Sequence, residues 1–169
     1  MIGVLLIFLV ISVFTFSVNR KESIITLINF TEKTVSIYDN PTRETIVYKI
    51  RDDSRKWDFY EFDILEKKDS MIKVLAINTR TDNTMVGWIR ITDAGIYTRT
   101  YSKNTYPLYF KPSYKSKIAV IFYDEDGTLV QVTDIQNGWL KVKVYYRKKL
   151  YEYWLPPKYQ CQNTFNSCT

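Results

Sequence analysis

The side chains that most often perform chemistry are scarce in this chain. None of its 169 residues is histidine, and only two, Cys161 and Cys168, are cysteine. Histidine is the commonest general base and transition-metal ligand, and it activates many serine and cysteine nucleophiles. Its absence removes the usual hydrolase pairs and most zinc sites. We therefore expect a protein that is not an enzyme and that uses no cofactor and no metal.

Two groups of carboxylates could still form sites, but each has a simpler explanation. Glu61 and Asp63 would share one face of a strand, with Asp58 close by, and could act as an acid–base pair. Exposed charge on a strand is the simpler interpretation. The acidic run at 124–126 lacks the alternating ligands over about twelve residues that a calcium loop requires, so it predicts a turn.

The two cysteines predict a disulfide. Cys161 and Cys168 are separated by six residues, whereas a redox motif would have two and a metal site would need further ligands. In an exported chain, an isolated pair at this distance is typical of a disulfide that pins the tail. The expected bond is Cys161–Cys168.

Aromatic and basic residues are better candidates for a binding site. The stretch Trp139–Pro157 predicts a β-hairpin, in which apolar residues alternate with Lys141 and Lys143 and a basic run, 147–149, forms the tip. Aromatic faces suit sugars and extended peptides. A solvated rim that discourages strand pairing is the simpler interpretation of the lysines. The candidate ligand-binding residues are Tyr109, Trp139, Lys141, Lys143, Arg147, Lys148 and Lys149; Tyr38, Trp88 and Trp154 are expected to be structural aromatics of the core.

The positive charge is confined to the second half of the chain. The net charge is +6, and residues 98–160 contain 11 Lys and Arg against 5 Asp and Glu, whereas residues 19–97 contain 13 of each. An acidic partner would suit this half, although ordinary solubility charge explains it equally simply. Interleaved aromatic and basic residues also suit single-stranded nucleic acid. We expect no nucleic-acid partner, because an exported protein meets little of it.

The N-terminal segment predicts export. Residues 2–18 are apolar apart from one glycine, two serines and one threonine, which is short for a spanning helix but fits a signal peptide. No basic residue precedes this run and two follow it, so an uncleaved anchor remains the alternative. We expect location in the periplasm or the cell-envelope membrane, with membrane contact through residues 1–18 if they are not cleaved.

Three aromatic landmarks recur in the same order along the chain. They are Ile37–Pro41 and Leu108–Pro112, Asp69–Val74 and Asn137–Val142, and Gly87–Ile89 and Tyr153–Leu155. Short β-prone segments with turn signals between them accompany each set, which is typical of a barrel or sandwich. The predicted strands are 34–38, 44–50, 59–65, 71–78 and 84–92, then 106–110, 117–123, 128–135, 138–146 and 150–155.

The second unit resembles the bacterial Src-homology-3-like (SH3-like) domain, a small bent β-barrel of exported cell-envelope proteins. The resemblance is carried by Tyr109, Pro112, Gly138-Trp139 and Trp154-Leu155. The first unit departs from it, with Ser70-Met71 in place of Gly-Trp. The resemblance implies an all-β fold of two SH3-like barrels in tandem. The expected divisions are 1–18 signal or anchor, 19–33 linker or extra strand, 34–97 first barrel, 98–160 second barrel and 161–169 tail.

The resemblance implies a groove beside the loops for peptides or cell-wall fragments. We therefore expect an exported, non-catalytic protein that binds a peptidoglycan-type cell-wall ligand or an envelope protein. The alternatives are an inhibitor or immunity-like protein that caps an envelope-acting toxin or enzyme, and a membrane-anchored scaffold.

Overall fold

The computed structural model describes residues 25–30, 34–99, 105–124 and 127–161. Within these ranges the chain forms thirteen strands and three short 3₁₀ turns, with no α-helix. The all-β prediction is confirmed. No helix in these ranges is long and apolar enough to cross a membrane. The predicted signal or anchor, residues 1–18, and Cys168 lie outside the described residues.

The ends of ten strands lie within three residues of the predicted ends. These strands could be predicted because alternating burial is a local signal in the sequence. In chain order the strands are β1 (Thr26–Asn29), β2 (Val35–Tyr38), β3 (Ile46–Ile50), β4 (Tyr60–Lys68), β5 (Met71–Asn78), β6 (Thr84–Arg90), β7 (Ala94–Thr98), β8 (Thr105–Tyr109), β9 (Ile118–Tyr123), β10 (Leu129–Gln136), β11 (Trp139–Tyr146), β12 (Lys149–Leu155) and β13 (Gln160–Cys161). The 3₁₀ turns are Ser54–Lys56, Ile91–Asp93 and Pro157–Tyr159. The segment 19–33, expected to be a linker or an extra strand, contains β1, whereas β7 and β13 were not predicted.

The strands form one antiparallel sheet in which the same order occurs twice. The order is β3-β2-β6-β5-β4-β1-β7-β10-β11-β12-β8-β9, with β13 paired to β7. Read inward from each edge, the first half runs β3-β2-β6-β5-β4 and the second half runs β9-β8-β12-β11-β10. A 3₁₀ turn follows β6 and another follows β12. The two halves of the chain therefore repeat one topology.

The register of the repeat is the same in both halves. Tyr38 on β2 lies opposite Trp88 on β6, and Tyr109 on β8 lies opposite Trp154 on β12. The first strand pair of each half carries a bulge at this tyrosine. A slip of one residue in the strand pairing would turn every side chain to the other face of the sheet. Because the register matches, equivalent residues of the two halves lie on equivalent faces.

The two halves share one sheet and one core. Strand β7 pairs with β1 of its own half and with β10 and β13 of the second half. One cluster of buried side chains includes Phe62 and Ile72 from the first half and Leu140 and Val142 from the second. Across the junction, Lys67 forms an ion pair with Asp134.

Candidate functional site

Three aromatic rings meet at one end of the second half. The centroids of Tyr109 and Trp139 are 5.4 Å apart with the rings nearly perpendicular. Tyr114 lies 4.8 Å from Trp139 and 6.1 Å from Tyr109. Edge-to-face and tilted contacts at these distances are favourable. We call these residues, Tyr109, Tyr114 and Trp139, the three-ring cluster.

Three local features of the backbone position the cluster. Trp139 follows the tight Asn137-Gly138 turn, where both residues have positive φ (50° and 80°), a geometry that suits Asn-Gly. A bulge between Leu108 and Tyr109 shifts the β8–β9 register, and Tyr109, paired with Ile118, is the last residue of β8. The following loop, 110–117, carries Tyr114.

The loop 110–117 is held by hydrogen bonds within itself. The Phe110 amide donates to the Lys117 carbonyl (3.2 Å), and the Ser116 amide donates to the Ser113 carbonyl (3.0 Å). The Lys111 amide donates to Ser116 Oγ (3.1 Å). These bonds close the loop on itself, so it presents Tyr114 from an ordered backbone.

The accessible aromatic surface belongs to the loop rather than to the predicted tryptophan. Trp139 is only 6% exposed, whereas Tyr114 is 60% exposed and Phe110 is 55% exposed. Phe110 in turn contacts the ring of Tyr153 at 5.2 Å. Trp139, one of the candidate ligand-binding residues, is buried and packs beneath Tyr114. The sequence did not single out Tyr114, because a loop residue lies outside any strand periodicity, or Phe110, because it was predicted to be the last residue of the strand 106–110, whereas β8 ends at Tyr109.

Among the residues that the structure describes, the matching positions of the first half do not reproduce this surface. The matching positions hold Tyr38, Met71 and Trp88, which form a small buried cluster. Met71 replaces the tryptophan ring, and the loop 39–45 contains no aromatic residue. Trp88 and Trp154 are 6% and 8% exposed, and Tyr38 is also buried, as expected for structural aromatics.

The basic residues predicted for the same site are spread along the β11–β12 hairpin, from Lys141, two residues after Trp139, to Lys149 at the tip. Lys141 forms an ion pair with Glu152 at 3.5 Å, and Lys143 is the strand neighbour of that same glutamate. Arg147, Lys148 and Lys149 lie at the tip of the β11–β12 hairpin. Eight residues of extended strand place that tip roughly 25 Å from Trp139. The predicted ligand-binding residues therefore extend from the three-ring cluster along β11 to the hairpin tip and do not form one compact cluster.

The carboxylates of the first half are engaged in local structure. Asp63 accepts a hydrogen bond from the Thr26 hydroxyl. Burial, and then the neighbouring Asp63, raise the pKa of Glu61. Asp58 pairs with Arg80 at 3.5 Å and accepts a hydrogen bond from Asn78. Among the residues that the structure describes, no group of three or more acidic or cysteine side chains could hold a metal ion.

The acidic turn and the tail are described in part. Asp124 accepts hydrogen bonds from the Thr98 hydroxyl (2.7 Å) and the Gly127 amide (3.1 Å), as expected for a turn. Cys161 is 5% exposed and has no free thiol. Its predicted partner, Cys168, lies outside the described residues, and the pairing stays a prediction.

Comparisons with known proteins add little to this geometry. The sequence matches no family model and no curated protein. The chain is similar to the solved structure of NlpC2 from Trichomonas vaginalis, with 20% identity and a TM-score of 0.29. The match covers 79% of this chain and 46% of that one, so the chain spans less than half the length of that protein. A similarity at this TM-score supports no conclusion about function.

Proposed function

We propose that the protein is an exported, non-catalytic binding protein whose three-ring cluster recognises a cell-wall polymer of the peptidoglycan type. The observation that carries the proposal is the placement of exposed Tyr114 on buried Trp139, with Tyr109 packed against both. A ring that is already held in place loses little conformational entropy when a ligand stacks on it.

The neighbouring side chains suit such a polymer. Phe110 presents a second exposed ring from the same loop. Lys111, Lys115 and Lys117 lie in that loop too, and their ammonium groups can pair with carboxylates on a peptide-bearing polymer. Rigid aromatic area with a few polar groups beside it is typical of sites for sugars and extended peptides.

We extend the proposal to the fold of each half, which we interpret as an SH3-like barrel. The repeated five-strand order supports this, together with the tyrosine opposite the closing tryptophan in both halves. The sharing of β7 between the halves would make the pair one structural unit rather than two domains joined by a linker.

Export through residues 1–18 belongs to the same proposal. Mass spectrometry of the mature N-terminus tests it, and a start near Val18 would exclude the anchor.

The binding proposal is tested by co-sedimentation with purified peptidoglycan. We expect Tyr114→Ala to weaken binding at least tenfold, since aromatic anchors commonly contribute 1–3 kcal/mol. Tyr48→Ala is the matched control, because Tyr48 is also a half-exposed tyrosine (48%) but lies on β3 in the first half. Thermal unfolding of both variants confirms that the fold is retained.

Two results would contradict the proposal. One is a wild-type protein that stays in the supernatant. The other is equal loss of binding in Tyr114→Ala and Tyr48→Ala, which would show that the cluster contributes nothing specific.

The charge distribution favours a second candidate function, an inhibitor or immunity-like protein that caps an envelope-acting toxin or enzyme. The whole net charge of +6 lies in residues 98–160, which suits an acidic partner surface. Such a protein would capture one partner from an envelope extract, with affinity that falls as salt rises. Capture that is insensitive to salt would argue against it.

A further inference from the structure

The tip of the β11–β12 hairpin concentrates charge of one sign. We define the basic tip as residues 145–150, Tyr145, Tyr146, Arg147, Lys148, Lys149 and Leu150. It contains three consecutive basic residues and no acidic residue, and the nearest acid along the hairpin is Glu152. In the structure all six side chains are exposed. The tip therefore presents three cations to solvent, away from the three-ring cluster.

The turn at this tip uses residues that the geometry disfavours. Arg147 and Lys148 both have positive φ, 48° and 63°. Two-residue hairpin turns of this kind strongly prefer Asn-Gly or Asp-Gly, and the chain uses Asn137-Gly138 for the turn before β11. Bulky residues at positive φ are uncommon and cost stability. The turn therefore holds two cations at positions where Asn-Gly would relieve backbone strain.

Two apolar side chains project from the outer face at the same end of the hairpin. Tyr145 is 74% exposed and Leu150 is 55% exposed, and they are direct cross-strand partners. They therefore form one apolar pair at the end of the hairpin. The alternation of side chains along a strand explains why Tyr145 and Leu150 point outward, but it does not explain why both are apolar.

The opposite face of the tip is anchored. The ring of Tyr146 contacts buried Phe122 at 5.4 Å, and the Arg147 guanidinium lies 5.1 Å from the centre of the Tyr146 ring. The ammonium of Lys149 lies 5.2 Å from the ring of Tyr151, which also contacts Phe122. Tyr146 and Tyr151 thus fix the tip to the core. Arg147 and Lys149 lie over these rings and remain exposed at the end of the hairpin, and the outer face carries the apolar pair.

We propose that the basic tip docks on the surface of an anionic lipid bilayer. The three cations would pair with anionic headgroups, and Tyr145 and Leu150 would enter the interfacial layer between headgroups and acyl chains. Basic residues beside exposed tyrosine and aliphatic side chains are the combination that membrane interfaces favour. This function is independent of polymer binding at the three-ring cluster, because the two surfaces lie at opposite ends of β11.

A soluble polyanion would satisfy the cations but not the apolar pair. Nucleic acid or an acidic glycan offers phosphates, sulfates or carboxylates to Arg147, Lys148 and Lys149, yet gives Leu150 nothing apolar to enter. Stacking of bases on Tyr145 would involve that ring alone. A lipid surface uses both groups at once, and this favours the bilayer as the partner.

Co-sedimentation of the full chain with vesicles tests the inference. One vesicle set contains phosphatidylglycerol and phosphatidylcholine in equal parts, and the other contains phosphatidylcholine alone. Each basic residue near an anionic surface contributes about fivefold to binding. We therefore expect substitution of Arg147, Lys148 and Lys149 by Gln to weaken partition onto the anionic vesicles on the order of 100-fold, with little change on neutral vesicles.

The matched control removes the same charge elsewhere. Lys49, Lys56 and Lys68 are exposed residues of the first half, and their replacement by Gln lowers the net charge equally. We expect a change of less than about fivefold from this control variant, since long-range charge effects are screened by salt. Equal losses in the two triple variants would overturn the inference, because net charge alone would then explain the binding. Any contribution from residues 1–18 is common to all variants and appears on the neutral vesicles too.

A second variant separates binding from folding. Replacing Arg147-Lys148 by Asn-Gly supplies the favoured turn residues and removes two cations. We expect the melting temperature to stay the same or rise while partition onto anionic vesicles falls at least tenfold. Retained partition in this well-folded variant would overturn the inference.

The apolar pair distinguishes a bilayer from a soluble polyanion. We expect Tyr145→Ser with Leu150→Ser to weaken partition onto anionic vesicles by at least tenfold, since these changes remove buried apolar area. Full binding by this double variant, together with displacement of the vesicles by an equal charge of oligonucleotide, would identify a polyanion site and overturn the inference. Tyr114→Ala should leave vesicle binding unchanged, so the two proposals can fail independently.

Discussion

At the residue scale, two aromatic side chains that contact one another differ in exposure, and we expect them to have different roles. Trp139 is 6% exposed and packs beneath Tyr114, which is 60% exposed. A buried tryptophan contributes mainly to stability, whereas an exposed ring on a supported surface contributes mainly to binding. A loss of binding after replacement of Trp139 would therefore combine both effects.

We expect Trp139→Ala to lower the free energy of unfolding by about 3–5 kcal/mol, because it empties a large buried site. Tyr114→Ala should change it by no more than about 0.5 kcal/mol, as is usual for surface positions. Urea denaturation of the two variants measures the difference. Equal destabilisation by both would show that Tyr114 belongs to the core rather than to a binding surface.

At the scale of single elements, the segment that joins β3 to β4 contains a titrating group. Burial raises the pKa of Asp52 from 3.8 to about 6, hydrogen bonds from Asn29 and Tyr60 oppose that rise, and the nearby charge of Asp58 adds to it. The backbone amide of Tyr60, at the start of β4, donates to the Asp52 carboxyl at 3.1 Å. The folded chain therefore holds a proton on Asp52 more tightly than the unfolded chain does.

This difference predicts how stability changes with pH. Below about pH 4 the carboxyl is protonated in both states, and as pH rises from 4 to 6 the unfolded state releases its proton first, so stability falls. The shift corresponds to at most about 3 kcal/mol, and because the group is only partly buried we expect about 1–2 kcal/mol.

The variant Asp52→Asn isolates that contribution. Its amide oxygen can still accept the bond from Tyr60, but it never ionises. We expect the variant to be more stable than the wild type by about 1–2 kcal/mol at pH 7 and nearly equal to it at pH 4. Burial also raises the pKa values of Glu61 and Asp93. Both residues are present in both proteins, so their contributions to the difference in stability cancel. A variant that is less stable at pH 7 would contradict this account.

At the scale of the whole molecule, the two halves are continuous. They share β7, and buried side chains from both contribute to one cluster. Half of this chain alone would bury only roughly 60% of the surface that its unfolded chain exposes and would be marginally stable. Sharing a sheet and a core supplies the burial that each half lacks.

This continuity predicts one cooperative unfolding transition. Val74 and Val142 occupy equivalent positions on β5 and β11, and both are fully buried. Replacing either by Ala should cost about 2 kcal/mol and lower the single melting temperature by roughly 4–8 °C. Differential scanning calorimetry measures this. Two transitions, with each variant shifting only its own, would show that the halves unfold separately.

Most of the strand layout was predictable because it depends on local information. Alternating burial and turns depend on residues that are adjacent in the sequence. Ten strands and the landmarks at Tyr38 and Tyr109 were therefore predicted without tertiary structure. Strands β7 and β13 were missed because each follows a 3₁₀ turn, where periodicity is interrupted. Strand β1 could not be distinguished from a linker, since only its pairing with β4 and β7 makes it part of the sheet.

By itself, the sequence determined an all-β chain with a repeated order of aromatic landmarks, no histidine chemistry and a basic second half. Each of these depends on residue type or on spacing of two along one strand. Only the tertiary structure decided that Tyr114 lies on Trp139 and that the two halves share β7 and one core. Those contacts join a loop to a strand and one half to the other, and no local period encodes which distant residues a folded backbone brings together.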